Sequence, residues 1–410
     1  MDKFMVTERE LTLAQAEQRI LAELEGFGLH LDIRTLGSKI VATHVSVSTH
    51  NPRRRARGAG KGYAEQARVG ALYETLEHYL SDHCDTSIAH YIAPAYFPHT
   101  PLFHDDSALA LITKQSTCTA CRTYINTIDN SSFYYPIALC TPDYSSNVFA
   151  PDTTNYRSLR RYASNSGTAI GATYNEAVLH AVNECIERDA VSLFLLDHFY
   201  YENHPPLRRV VRLPDDDVLG RLWSDAEAEI GAEIVLVDIS TEFFPKTFLA
   251  FSIGPCVTPR VFGAGCSLMA RHGAWRALTE LVQLHHGANE PELTHCLSNA
   301  ERHLKQFPRL LRCLRFDLNP LFNQSEQQYV ALPHAHDQKP LAEQIDLLAK
   351  DLQQQGRTLG ISTLHQNRLG TTLVNVVIPG LERFFVVSSG NVVVPQARGR
   401  RLERPQGVSV

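Results

Sequence analysis

The chain has 410 residues, 44% of them hydrophobic and 20% charged, a balance that excludes disorder over most of its length. A formal net charge of −5 excludes a generally cationic surface of the kind that nonspecific nucleic-acid binding requires. Met1 to Leu13 mixes Asp, Lys, Glu and Arg without an apolar centre, and no stretch approaches the roughly 18 apolar residues of a membrane span, so neither a secretory signal nor a membrane partner is expected. Nine cysteines, an odd number that includes Cys84 and Cys313, fit a reducing, cytoplasmic setting better than a disulfide framework.

In chain order, apolar residues at Leu13, Ala16, Ile20, Leu21 and Leu24 predict a surface helix over Thr12 to Phe27, ended by Gly26 and Gly28. Ile40 to Ser48 is β-branched and predicts a strand; Asn51 to Gly62 reads as a basic, glycine-containing loop. Helices are predicted over Ala64 to Leu80, Tyr174 to Leu196 and His272 to Leu284. Strands are predicted over Ile234–Ile239, Phe248–Ile253, Leu373–Ile378 and Phe384–Val387. Ala93 to Tyr156, rich in Thr, Ser, Pro, Asp and Asn, is the most loop-like region. Arg53, Arg54, Arg55 and Arg57 read as a solvated loop, and Arg398, Arg400, Arg401 and Arg404 as a frayed tail. Interleaved strands and helices predict a mixed α/β (α+β) fold.

One short pattern occurs three times. Ala71-x-x-Glu74-x-x-Glu77, Ala181-x-x-Glu184-x-x-Glu187 and Ala277-x-x-Glu280-x-x-Gln283 each place a small residue, a carboxylate and a second oxygen ligand three apart, hence on one helical face. Glutamates at this spacing are also common on solvated faces, but the neighbours here are apolar: Leu72, Leu76, Val182, Ile186, Leu278 and Leu281. If the stripes converged, the carboxylates would repel one another unless a cation sat between them. Magnesium suits that demand, since it takes carboxylate oxygens and keeps positions for phosphates and water.

Gly58-Ala-Gly60-Lys61-Gly62 looks at first like a phosphate loop. A Walker A motif would need Gly at the position of Arg55 and Ser or Thr at that of Gly62, so a P-loop fold is excluded. The glycine amides and Lys61 remain able to meet an anion. A second small-residue loop, Ser164 to Gly171, precedes Thr173 and Glu176, a capping-box pair that starts the second Glu helix. Cys118-x-x-Cys121, His285-His286 and His334-x-His336 lack the additional spaced ligands that would make a zinc site. His78, His180 and His198 lie near the motif helices, where a lone histidine is more often structural.

Taken together these residues resemble the YcaO superfamily. Gly60-Lys61-Gly62 through Glu74-x-x-Glu77 is similar to its first ATP-binding motif, Ser164-Asn165 through Glu176-Ala177 and Glu184-x-x-Glu187-Arg188-Asp189 to its second, and Arg276-x-x-x-Glu280-x-x-Gln283 to its third. Pro379-Gly380-Leu381-Glu382 is similar to a late signature. The resemblance implies a YcaO-type ATP-binding fold, neither P-loop nor Rossmann. It implies one catalytic domain over 1–410: an N-terminal helix and first strand in 1–50, a motif-bearing core in 58–382, and a C-terminal strand and tail in 383–410.

It further implies ATP and Mg2+ as cofactors, with Glu74, Glu77, Glu184 and Glu187 holding the metal. Glu176, Arg188, Arg276, Glu280 and Gln283 would contact nucleotide or order those ligands. Lys61 would lie by the phosphates, and Arg9 would take the place of an early basic ATP contact. Two positions depart from the family pattern: His78 stands where many members carry Arg, and the chain ends Arg404-Pro-Gln-Gly-Val-Ser-Val410 rather than in a proline-rich tail.

The implied activity is ATP-dependent cyclodehydration, in which Cys, Ser or Thr of a ribosomal precursor peptide closes onto the preceding carbonyl to give a thiazoline or oxazoline. Amidine closure is a related possibility. The implied setting is the standalone component of a microcin-type synthetase, a homodimer working with a leader-binding ubiquitin-activating-like protein and a flavin-dependent azoline dehydrogenase. Thioamide formation or ribosomal-protein modification, and a noncatalytic nucleotide-bound scaffold, are the competing readings. Ligand-capable side chains at all six acidic or amide motif positions speak against the scaffold.

Overall fold

The computed structural model describes residues 8–48, 55–81, 89–112, 117–254, 261–288, 291–332 and 339–404. Among the described residues, fourteen strands form three sheets. The first sheet is an antiparallel meander of β1 (His30–Leu36), β2 (Val41–Ser48) and β3 (Arg55–Gly62). Then come β4 (His90–Ile92), β5 (Thr119–Asn126), β6 (Ser132–Pro136), β7 (Thr168–Gly171), β8 (Leu207–Val210), β9 (Glu233–Asp238), β10 (Lys246–Ile253), β11 (Phe262–Ser267), β12 (Gln327–Val330), β13 (Gly360–Gln366) and β14 (Thr372–Val377). The second sheet runs β11-β10-β9-β8-β12, and the third β4-β5-β13-β14-β7 with β6 on β5. A mixed α/β architecture is therefore observed, as expected.

The main helices are α1 (Leu13–Gly26), α2 (Ala64–Ser81), α3 (Tyr174–Leu195), α4 (Val218–Ile230), α5 (Ala270–Gly287), α6 (Pro291–Leu304) and α7 (Leu341–Gln354). Thr12 caps α1 in a reciprocal box with Gln15. Helices α2, α3 and α5 carry the repeated pattern, and each touches two sheets. α2 lies on β2 and β3 and reaches β7; α3 lies on β7 and β14 and reaches β11; α5 lies on β10 and β11 and reaches β3. This three-way overlap brings three helices that are remote in sequence to one seam.

Small residues permit the overlap. A methyl group at Gly60 would collide with the Ala67 carbonyl oxygen and the Ala71 amide, one at Gly263 with the Ala277 carbonyl oxygen, and one at Gly171 with the Ala177 amide. Ala71 and Ala277 of the repeat thus mark where a helix backbone rests on a strand backbone, and the glutamate one turn on is carried to the edge of that contact. On α3 the crossing falls at Ala177 instead of Ala181.

Four expectations are corrected. The basic segment 55–62 is strand β3: Ala56, Gly58, Gly60 and Gly62 are buried while Arg55 and Arg57 point to solvent. Its glycines serve close packing, a use that sequence does not separate from a turn. Arg53 and Arg54 lie outside the described residues. The region 93–156 contributes β5, β6 and several short helices, and buries Phe97, Tyr124 and Tyr135. Asp152 is satisfied inside it, accepting from the hydroxyls of Tyr144 (2.8 Å) and Tyr156 (2.5 Å) and from the Ala120 amide (3.1 Å).

Phe384–Ser389 is a 3-10 helix rather than a strand, since the Pro379-Gly380 turn and the Ser192 hydroxyl, which accepts from the Phe385 amide at 2.9 Å, hold it against α3. Nor is Arg398 frayed. It is buried and donates from Nε to Asp189 (2.8 and 3.0 Å) and from both Nη atoms to Glu242 (2.5 and 2.7 Å). Arg400 and Arg401 reach Ser107 and Asp105.

Candidate functional site

Where α2, α3 and α5 meet, their acidic stripes face one another. Glu77 accepts from the Ile170 amide of β7 at 2.9 Å, and Glu184 from the Gly167 amide at 3.4 Å. Burial first, then the charges of Glu184 and Glu74, push the Glu77 carboxyl up to about 8. Burial raises Glu184 to about 7, with Glu187 adding to the rise and Arg188 opposing it. Glu187 is raised by burial and by Glu280; it is 2% exposed, and its Oε2 has no hydrogen-bond partner. Glu74 is more open and lies 3.7 Å from His78 Nε2.

Cations line the α5 side. Lys61, on the face of β3 turned away from α2, pairs with Glu280. Against the effect of burial, Lys61, Arg188 and Arg276 hold Glu280 below its ordinary value. Arg276 donates to His180 Nδ1 at 3.1 Å and leaves its Nε without a partner. Since Arg cannot accept, Nδ1 must be the acceptor. Burial, Arg276 and Arg9 keep that imidazole neutral, well below its ordinary pKa. Arg188 lies 3.7 Å from Glu184 and 5.5 Å from the Phe385 ring centroid. Gln283 is half-buried one turn beyond Glu280.

One expected site residue has other visible employment. Glu176 Oε1 accepts from the amides of Glu10 (2.7 Å) and Leu11 (3.4 Å), pinning the N-terminal segment to the start of α3. Thr173 caps that helix by accepting from the Glu176 amide at 3.3 Å, and its hydroxyl donates to Glu10. Arg9 is exposed but sits in the same segment, where its charge reaches both His180 and Tyr73.

Sequence reasoning missed Glu8 and Asn183, and set His180 aside as structural. Glu8 is 3% exposed; it accepts from Ser267 (2.5 Å) and Asn183 (3.2 Å) and lies 3.4 Å from His272. Burial would raise its pKa, but His272, Arg276 and Ser267 bring it down to about 2. Nothing in a Glu-Arg-Glu run near the start signals such burial. His180 could have been found, since it lies four residues after Glu176 and four before Glu184 on the same stripe.

The donor set fits magnesium better than zinc. No group of three or more His, Cys, Asp or Glu side chains among the described residues is arranged to hold a metal by itself. Magnesium is commonly held by one or two carboxylates, with phosphate and water completing the shell. The partnerless Glu187 oxygen and the raised carboxyls are what such an ion would satisfy. The seven described cysteines are free; Cys118 is exposed and Cys121 buried, so that pair is no site. His286 lies 3.4 Å from Glu229, and His198 is buried against Phe194. His334 and His336 lie outside the described residues.

A pH dependence follows. A carboxyl raised in the folded state holds a proton that the unfolded chain has lost, so stability falls as pH rises toward the folded pKa. His180 and His198, both lowered by burial, are neutral in either state above about pH 7 and drop out of this window. In chelator, the thermal midpoint should therefore fall between pH 7 and 8.5, as Glu184 and Glu77 ionise. Mg2+ with the ATP analogue AMPPCP should reduce that fall. Scanning fluorimetry across the range checks it, and a flat midpoint in chelator contradicts it.

Among the described residues no helix is long and apolar enough to cross a membrane. No curated protein sequence matches the chain. Among solved structures, the YcaO of Methanopyrus kandleri bound with AMPPCP and Mg2+ is similar at 20% identity with a TM-score of 0.65, over 95% of this chain and 96% of that one. A heterocyclase in complex with substrate and cofactor is similar at 14% identity and a TM-score of 0.64, over 95% of this chain but 58% of that one. The E. coli microcin synthetase McbBCD complex matches at 11% identity and a TM-score of 0.57, over 87% of this chain and 88% of that one. Residues 59–382 match the family described as YcaO cyclodehydratase, ATP- and Mg2+-binding, a span holding every repeated Glu position of the seam. With that match over most of its length and a shared fold, the chain belongs to the YcaO family of ATP- and Mg2+-binding cyclodehydratases.

Proposed function

We propose that this protein uses ATP to phosphorylate a peptide-bond oxygen and so closes Cys, Ser or Thr of a ribosomal precursor peptide into thiazolines or oxazolines. The observation that carries the reading is the meeting of Glu74, Glu77, Glu184, Glu187 and Glu280 from three helices, ringed by Lys61, Arg188 and Arg276. In this reading Glu74, Glu77, Glu184 and Glu187 hold Mg2+, which neutralises charge on the phosphates when bound. Lys61, Arg188 and Arg276 meet the phosphates. Glu280 and Gln283 order those cations and ligands, Glu176 fixes the N-terminal segment, and Arg9 approaches the nucleotide from it.

The chemistry balances without a protein nucleophile. The side-chain sulfur or oxygen bonds to the preceding carbonyl carbon, and the carbonyl electron pair moves onto its oxygen. That oxygen attacks the γ-phosphorus and displaces ADP. Phosphate then leaves with the oxygen as the nitrogen lone pair forms C=N, and the thiol or hydroxyl proton and the amide proton are released. Positioning and electrostatics supply the rate.

Likeness to a heterocyclase in complex with substrate and to the McbBCD complex supports a peptide substrate and a heteromeric assembly. The partners in this reading are a leader-binding ubiquitin-activating-like protein and a flavin-dependent azoline dehydrogenase, in the cytoplasm, around a homodimer of this single-domain chain.

The test incubates the chain with a Cys/Ser/Thr-rich precursor peptide, the leader-binding protein, ATP and Mg2+, and follows peptide mass. Loss of about 18 Da per ring is expected, and an unchanged mass with active components overturns the reading. The alternative product of the same activation is a thioamide, formed when sulfide displaces the phosphorylated oxygen. A gain of about 16 Da in the presence of sulfide would identify it.

A further inference from the structure

One edge of the first sheet is open. Strand β1 pairs with β2 along its whole length, from His30 with Ser48 to Leu36 with Ala42, and among the described residues no strand pairs its other side. The opposite edge, β3, lies against α5 and carries Lys61. Five of the seven residues of β1 are exposed, Leu31 at 37%. Such an edge offers backbone amides and carbonyls to another strand, and proteins commonly blunt it with proline, a bulge or repelling charges. β1 has no proline or glycine, and its pairs with β2 run without a shift of register.

Two charges decide what this edge fits. Leu31 and Ile33 line up with Val47 and Val45, which pack with α1 and α2. Asp32 and Arg34 therefore point to the other face of the sheet, beside Ser46 and His44. Both are exposed, and among the described residues neither side chain has an ion pair or hydrogen bond.

The strand is centred on Ile33. When a second β1 runs antiparallel beside it with a two-fold axis through Ile33, His30 faces Leu36, Leu31 faces Thr35 and Asp32 faces Arg34. The two copies then make the Asp32–Arg34 pair twice, around a central pair of Ile33 side chains. A register centred on Asp32 or on Arg34 sets like charges face to face, which disfavours it.

Resting on the homodimer of the proposed function, though on none of its chemistry, we propose that two copies of this chain meet edge to edge at β1, joining their three-stranded sheets into one. Backbone hydrogen bonds and the row of Leu31 and Ile33 supply the contact, and the Asp32–Arg34 pairs fix the register. The edge bearing Lys61 stays outside the contact, so nucleotide binding is independent of it.

The experiment uses the full chain. Light scattering on the wild type should read twice the 45.9 kDa of one copy. Asp32→Arg and Arg34→Asp each turn both pairs into repulsions and should raise the dimer dissociation constant about tenfold or more. Mixed in equal amounts, the two variants should pair with each other, since the charges of one complement those of the other. Under mild oxidation Ile33→Cys should cross-link to its own copy beyond the wild-type background, because opposed residues lie about 4.5–5.5 Å apart, within disulfide reach. Leu31→Cys, whose copies stand about 13 Å or more apart, should not. Thermal midpoint and AMPPCP affinity at wild-type values show that the variants are folded.

A dimer that ignores both charge variants, or that cross-links at Leu31→Cys and not at Ile33→Cys, overturns the β1 interface while leaving the homodimer. A monomeric wild-type chain overturns both, as does a β1 edge that cross-links only to the leader-binding protein. Failure of the amide-activation reading shows separately, as an unchanged peptide mass.

Discussion

Glu184→Gln should abolish ATP consumption and peptide modification together, by about a thousandfold or more in kcat, while leaving the protein folded. Glu184 is the carboxylate at the middle of the seam: its charge is felt by Glu77 on α2, and its own is felt against Glu187 and Arg188 on α3. Glutamine keeps the size and still offers an oxygen to the Gly167 amide. What it removes is a negative charge that Arg188 and Arg276 offset only in part and that a bound cation would offset further.

The stability response should run opposite to activity. Without metal, a buried carboxylate pushed up to about 7 by burial is a liability at pH 8, so Glu184→Gln should melt higher than the wild type in chelator. In Mg2+ with AMPPCP it should gain less than the wild type. Phosphate release, peptide mass and scanning fluorimetry read the three quantities. A variant with full turnover refutes the role assigned to Glu184.

Arg398→Met should be among the most destabilising single changes outside the hydrophobic core. Asp189 is fully buried and accepts Arg398 Nε on both oxygens and the Glu382 amide at 2.7 Å. Removing one member of such a pair leaves a stranded charge and costs about 3–5 kcal/mol. The Arg398 guanidinium also lies 5.3 Å from the Phe243 ring centroid and binds Glu242, so packing is lost as well.

Because Asp189 follows Glu187 and Arg188 on α3, loosening it should also lower kcat. Asp189→Asn in the same chain should restore part of the stability, since the stranded charge disappears. Urea denaturation of the single and double variants checks this, and an unchanged midpoint in Arg398→Met would contradict it.

Glu382, the last residue of the Pro379-Gly380-Leu381-Glu382 signature, shows why the C-terminal segment is part of the site's scaffold. Its carboxylate accepts from the amides of Arg383 (3.0 Å), Gln396 (2.9 Å) and Gly399 (2.8 Å), folding the chain back so that Arg398 arrives at Asp189. Burial nonetheless raises it to about 7, with Asp189 adding to the rise.

Local sequence determined a good deal. The helices bearing Glu74, Glu184 and Glu280 were legible, because periodic apolar positions and caps act within one or two turns. So was the stripe itself, since spacing three puts side chains on one face whatever the surroundings. Resemblance of the motifs to a family then supplied ATP and Mg2+.

What the tertiary structure alone decided depends on long-range proximity. Whether a glycine serves a turn or a close approach, as at Gly58 and Gly60, depends on the helix laid over it. A charge reads as solvated until a distant partner covers it, which happened to Glu8 through Ser267 and His272 and to Arg398 through Asp189. A cavity beside His78 is walled by segments more than two hundred residues apart, from His78 to Leu364, and no local pattern encodes it. The repeated carboxylates of the seam were visible in the sequence; the residues that hold them in place were set by contacts across the fold.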